Sequence, residues 1–133
     1  GCAALTGLPG GYPAGAAAVT ELYRCGHRRI AALVARTDDR AISQLRYQGY
    51  LRALADCGLP TEEELVIRAG SFDIGDAYRA TAERLRQGAD FTAVFSIADN
   101  MALGAMRALR EVQVYRDRNL EIGERVCRIF PVL

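Results

Sequence analysis

Three short polar stretches carry the residue types that could hold a small molecule. Arg46 lies in SQLRYQGY, at the start of a helical pattern, where a guanidinium fork can take two hydroxyls or a carboxylate. Phe72 lies in AGSFD, just past an apolar run, where an aromatic face can stack on a sugar ring or a base. Ala98-Asp99-Asn100 links an apolar run to a helix, and Asp99 is expected first as an N-cap. A helix start there also presents free N–H groups. Each has an ordinary alternative: a solvated Arg, a lid on the core, and a plain helix cap.

Other candidates point to weaker chemistry. GLPGGYPAG, Gly7 to Gly15, precedes the first helix and could cradle a phosphate. It lacks Gly-Lys-Ser/Thr and does not fit G-x-G-x-x-G, so a simple turn into a helix is the plainer reading. Asp38 and Asp39 invite Mg²⁺, but no third carboxylate is placed beside them, and a solvated loop is expected. The single His, His27, follows a helix end at the amino end of a strand, away from the other candidates. No catalytic triad can be built, and the chain reads as a non-enzyme needing no cofactor. Cys2, Cys25, Cys57 and Cys127 contain no Cys-x-x-Cys pair, so no metal site is expected and the thiols suit a reduced, cytoplasmic protein.

These residues need a frame, and the hydrophobic pattern supplies one. Helical periodicity covers Ala14 to Cys25, Ile42 to Cys57, Ser71 or Asp73 to about Gln87, and a last helix after Asp99. Gly26, Gly58 and Gly88 follow the first three as C-terminal caps. Between them lie apolar runs at Arg29–Ala35, Glu64–Ala69 and Thr92–Ser96, with a possible strand stub at Cys2–Leu5. Uninterrupted apolar strands between helices imply a parallel sheet covered on both faces. The expected fold is therefore α/β: a three-layer α/β/α sandwich with a mostly parallel sheet of three to five strands. Ligands of such sheets bind beyond the carboxyl ends of the strands. Thr37–Arg46, Gly70–Asp73 and Ser96–Asn100 should then gather at one edge. Gly49 is expected to let its helix approach the sheet. On the third helix Ile74, Ala77, Tyr78, Thr81 and Leu85 should face inward, and on the fourth Met101, Gly104, Ala105, Ala108 and Leu109.

The 133 residues suit one domain. Net charge is +1, so no basic field draws the chain to DNA or to an acidic membrane. No apolar run is long enough to span a bilayer, and no secretory leader is recognisable. Gly1 in place of Met points to a fragment.

Four segments in order, ELYRCGHRRIAAL, SQLRYQGYLRAL, AGSFDIGDAYRA and FTAVFSIADNMALGAMRAL, resemble the effector domain of LacI/GalR transcription regulators. The resemblance implies a periplasmic-binding-protein-like subdomain that closes with a second one on a small effector, such as a sugar. It implies DNA binding only through a headpiece missing from this chain, and a possible homodimer. By position, Arg46 resembles the effector-clamping Arg, Phe72 the stacking aromatic, and Asp99 the motif's Asp. Ala98 stands where an effector-contacting Asn is often found, and Glu124 falls near a family carboxylate. The family-like core is read as residues 14–112, with 113–133 a divergent tail of the same subdomain. Two other classes stay open: a fragment of a sugar-transport binding protein, and a small nucleotide-binding α/β enzyme using the Gly7–Gly15 loop.

Overall fold

The computed structural model describes residues 4–5, 12–118 and 131–132. The chain runs β1 (Ala4–Leu5), α1 (Tyr12–Arg24), β2 (Ile30–Ala35), α2 (Ala41–Asp56), β3 (Val66–Ala69), α3 (Ile74–Arg86), β4 (Ala93–Ser96), α4 (Asp99–Arg118) and β5 (Pro131–Val132). The central sheet is parallel, in the order β3-β2-β4, and β1 pairs with β5 separately, also in parallel. In register, Ala32 faces Val66 and Ala35 faces Ala69, while Ile30 faces Ala93 and Leu33 faces Ser96.

Alternation along each strand sorts its side chains into two cores. Ala31, Leu33, Ile67 and Val94 meet Ala77, Met101, Ala105 and Leu109 of α3 and α4. Ile30, Ala32, Ala93 and Phe95 meet Ala18, Val19, Leu22, Tyr50 and Leu54 of α1 and α2. This is the expected three-layer sandwich. Burial of each large aliphatic side chain here contributes about 1.5–3 kcal/mol. On the α1/α2 side Tyr50 is buried with its hydroxyl donating to the Ile30 carbonyl at 2.7 Å, and its ring stacks between Tyr47 and Phe95.

Helix ends follow the glycines. Gly26, Gly58 and Gly88 have φ of +102°, +72° and +85°. At each, the glycine amide and the next amide fold back on the last turn, as in Gly58 N–H to Ala55 O (3.0 Å) and Leu59 N–H to Leu54 O (2.8 Å).

Several local expectations move. Tyr12 and Pro13 already belong to α1, since proline is tolerated in a first helical turn. Gly15 is therefore a helix residue and not part of a phosphate loop. A Cβ on Gly15 would collide with the Arg46 carbonyl, and one on Gly49 with the Tyr12 carbonyl. Gly49 thus admits α1, not the sheet. Ile74 is exposed instead of inward, because its main chain is what α4 touches: a Cβ on Gly104 would strike the Ile74 carbonyl. The remaining α4 face, Met101, Gly104, Ala105, Ala108 and Leu109, is buried as expected. The apolar run Glu64–Ala69 becomes a strand only from Val66. Glu63–Leu65 form a 3-10 turn before it, with the Leu65 amide bonded to Glu62 O.

Candidate functional site

The three polar loops meet at the carboxyl edge of the sheet. The Ile97 amide bonds to Leu33 O at 3.1 Å, which ties the end of β4 to β2. Thr37 Oγ1 donates to Gly70 O at 3.1 Å, which ties the β2 loop to the β3 loop. The geometry expected of an open parallel sheet is thus present.

Arg46 sits in the second turn of α2, half-buried, and its Nη1 donates to the Ile97 carbonyl at 3.0 Å. Part of its fork therefore holds the β4–α4 turn in place. Phe72 is half-buried on the α3/α4 core, and the cation over its ring is Arg40, not Arg46, with Cζ 3.9 Å from the centroid. An Arg stacked on an aromatic is a flat, partly apolar plate with N–H groups around its rim.

Asp99 is exposed and lies in the first turn of α4. The first helical bond, Ala102 N–H to O at 3.1 Å, is accepted by Ala98, so Ala98 holds the capping position and Asp99 follows it. Ser96 Oγ donates to that same Ala98 carbonyl, at 2.7 Å, and so fixes the turn from the strand side. Asp99 remains well placed against the helix dipole. Glu124 and most of the Gly7–Gly15 stretch lie outside the described residues.

Three residues at this edge were not singled out from the sequence, Arg40, Tyr47 and Arg68, and a fourth, Asp38, was expected in a solvated loop. Asp38 is not in a solvated loop. Its side chain is 4 % exposed, accepting from the Arg40 amide at 3.0 Å and from Arg40 Nε at 3.1 Å. Burial pushes its carboxyl up, but bonding to Arg40 outweighs this and holds it below the ordinary range. Asp38 therefore fixes the arginine that lies on Phe72. Beside it opens a cavity of about 150 Å³, floored by Val34, Ala35 and Ile97 and rimmed by Asp38, Ser43, Gln44, Tyr47 and Arg68. Arg68 pairs with Glu63, and burial raises the Tyr47 phenol, which keeps it a neutral hydroxyl. Arg68 did leave a signal: it is the one charge inside the apolar run LVIRA. Arg40 left none, because it stands outside any periodic segment.

The opposite edge is held by charge pairs. Arg29 binds Asp90 and Glu64, each at 2.8 Å, and also Glu62. His27 Nδ1 lies 2.8 Å from Thr92 Oγ1. His27 is thus at the amino edge, as its sequence position implies.

Residues 6–130 match the family model of periplasmic binding proteins and the sugar binding domain of the LacI family. Among curated relatives, the regulator CelR of Thermobifida fusca is 38% identical over 96 residues, covering 72% of this chain and 28% of that protein. AscG of Escherichia coli is 36% identical over 94 residues, covering 71% and 27%. Among solved structures, a LacI-family regulator from Sanguibacter keddieii superposes with TM-score 0.69 at 37% identity, covering 75% of this chain and 37% of that one. A CelR–cellobiose complex gives 0.69 at 35% identity, covering 76% and 30%. The chain spans less than a third of the length of these curated relatives. With the motifs in order, the parallel sheet and the carboxyl-edge loops in place, the chain belongs to the family of periplasmic binding proteins and LacI-type sugar binding domains.

Proposed function

We propose that this chain is the ligand-sensing subdomain of a LacI/GalR-like transcription regulator, taking a small sugar-like effector at the carboxyl edge of its sheet. The observation that carries this reading is the meeting of three loops there, with Arg40 stacked on Phe72 and Arg46 bound to the β4–α4 turn. A flat apolar plate beside guanidinium, hydroxyl and amide groups suits a ring with hydroxyls on its edge. The complex of the related CelR is with cellobiose, which supports the same chemical class. Asp99 joins the site from the helix start, and Ala98 supplies only backbone where an Asn would add a side-chain bond. Glu124 is assigned to the same edge by family position alone.

The function follows from closure. A second subdomain supplies the facing wall, and effector stabilises the closed arrangement only through contacts that differ between open and closed states. Closure changes the spacing of DNA-binding headpieces carried elsewhere in the whole protein. The reading includes one subdomain over residues 1–133, a cytoplasmic setting, no catalytic role and no cofactor. Homodimerisation is part of it too: Ile74 (42 % exposed) on α3 and Leu103 (49 % exposed) on α4 are exposed apolar side chains on two helices that pack together.

Amide-resolved NMR titration with cellobiose and a set of monosaccharides tests the proposal. Weak, millimolar-range shifts are expected at Arg46, Phe72 and Asp99, and Phe72→Ala should remove them. If no sugar moves these amides while a nucleotide perturbs residues 7–15, the enzyme reading replaces this one. Micromolar sugar binding by the isolated chain would contradict the need for a second wall.

A further inference from the structure

Among the described residues, β3 lies at the edge of the three-stranded sheet, with no strand on its outer side. Such an edge shows a row of unpaired carbonyl and amide groups, and invites another strand to add. The Arg36 amide bonds to Ala69 O at 2.8 Å, so the Ala69 carbonyl faces β2. By the two-residue alternation of a strand, the carbonyls of Val66 and Arg68 face outward, followed in the preceding turn by that of Glu64. All three are occupied by guanidinium groups. Arg84, in the last turn of α3, donates from Nη1 to Glu64 O at 2.6 Å and from Nη2 to Val66 O at 3.1 Å. Arg36 donates from Nε to Arg68 O at 3.5 Å.

We propose that Arg84, assisted by Arg36, is an edge guard that keeps β3 from pairing with β3 of a second copy of this chain. The second copy is the partner that fits, because a two-fold axis through one edge brings the same edge antiparallel to itself. The strand on offer is short and apolar, with Val66, Ile67 and Ala69 buried. An incoming strand must use the carbonyls that Arg84 already holds with two charge-assisted bonds, which are stronger than the neutral bonds that would replace them. A planar fork is pre-organised to span the Glu64 and Val66 carbonyls together, whereas an ammonium on a flexible stem holds such a pair less firmly.

The test compares Arg84→Met with Arg86→Met. Both remove one charge from the last turn of α3, but Arg86 pairs only with Glu83 among the contacts described for it. Sedimentation velocity across a concentration series reads self-association, and hydrogen exchange reads the outward Arg68 amide. R84M is expected to associate at roughly hundredfold lower concentration than the wild type, the equivalent of two lost charge-assisted bonds, with new protection at Arg68. R86M should match the wild type. If R84M proves unfolded by circular dichroism, Arg84→Lys decides: association no stronger than that of the wild type and R86M overturns the proposal, and association clearly above both supports it. A folded R84M that associates no more than R86M also overturns it, as does association without protection at Arg68.

Discussion

Adding one methyl group at two helix glycines should shift stability in opposite directions. Gly49→Ala gains about 1 kcal/mol of helix propensity. Its Cβ, however, would meet the Tyr12 carbonyl oxygen and the Ala16 amide nitrogen, the latter at 2.9 Å. Both are main-chain atoms of α1, so relief requires sliding α1 off α2. That movement disturbs Val19 and Leu22, which are fully buried against the sheet. Overpacking of this kind costs about 1–3 kcal/mol and sometimes more. Two main-chain collisions put the cost at the upper end, about 3 kcal/mol, so the net expectation is a loss of about 2 kcal/mol, or roughly 7 °C in Tm for a chain of this size. Gly75→Ala lies in the first turn of α3, where the new methyl meets Arg79 Nη1 at 3.3 Å and Asp73 Oδ2 at 3.5 Å. These are ends of flexible side chains that can swing aside. Here the propensity gain survives, reduced by its place in the first turn to about 0.5 kcal/mol. Urea unfolding of the two variants beside the wild type measures both midpoints with little change expected in slope. A Gly49→Ala protein as stable as the wild type would refute the assignment of Gly49 to the α1–α2 contact, and a less stable Gly75→Ala protein would refute the reading that only movable side-chain ends meet its methyl.

Asp38→Asn should lower stability at neutral pH. The folded-state carboxyl lies below its ordinary value of 3.8, so its contribution is present above that value and is lost as pH falls through the lowered one. The gap between variant and wild type, followed by denaturation at stepped pH, should therefore close in strong acid; a gap that widens there contradicts the Arg40 bond. Thr81→Val should raise stability by about 1 kcal/mol, because Thr81 is fully buried and its hydroxyl has no hydrogen-bond partner among the described residues. A fall in Tm would show that the hydroxyl is satisfied in solution. The chain should not bind duplex DNA at physiological salt, since a net charge of +1 neutralises too few phosphates. A salt-dependent mobility shift with a steep slope would overturn that.

Much of the frame was legible because local chemistry and global fold agree at those places. The glycines at 26, 58 and 88 follow helix ends and adopt the backbone that only glycine takes easily. The strands are apolar runs too short to be helices, and α4 shows its buried face as a clear 3.6-residue period. From order alone, the carboxyl-edge loops could be named as neighbours. The helix contacts were less legible. Gly15, Gly49 and Gly104 look alike in sequence, yet each is used against a particular turn of a particular neighbour.

By itself, then, the chain of residues determined the α/β class, the helix ends and the edge of the sheet at which a ligand belongs. It also carried the family motifs in order. Those properties depend on neighbours within one or two turns, so short-range patterns encode them. Tertiary structure alone decided which arginine lies on Phe72, that Arg46 holds Ile97, that Asp38 is buried, and that Arg84 covers the β3 edge. The contacts of Arg40, Arg46 and Arg84 join residues 18 to 51 positions apart. A long side chain reaches whichever group the packing of sheet and helix brings near, and no local pattern names that group in advance.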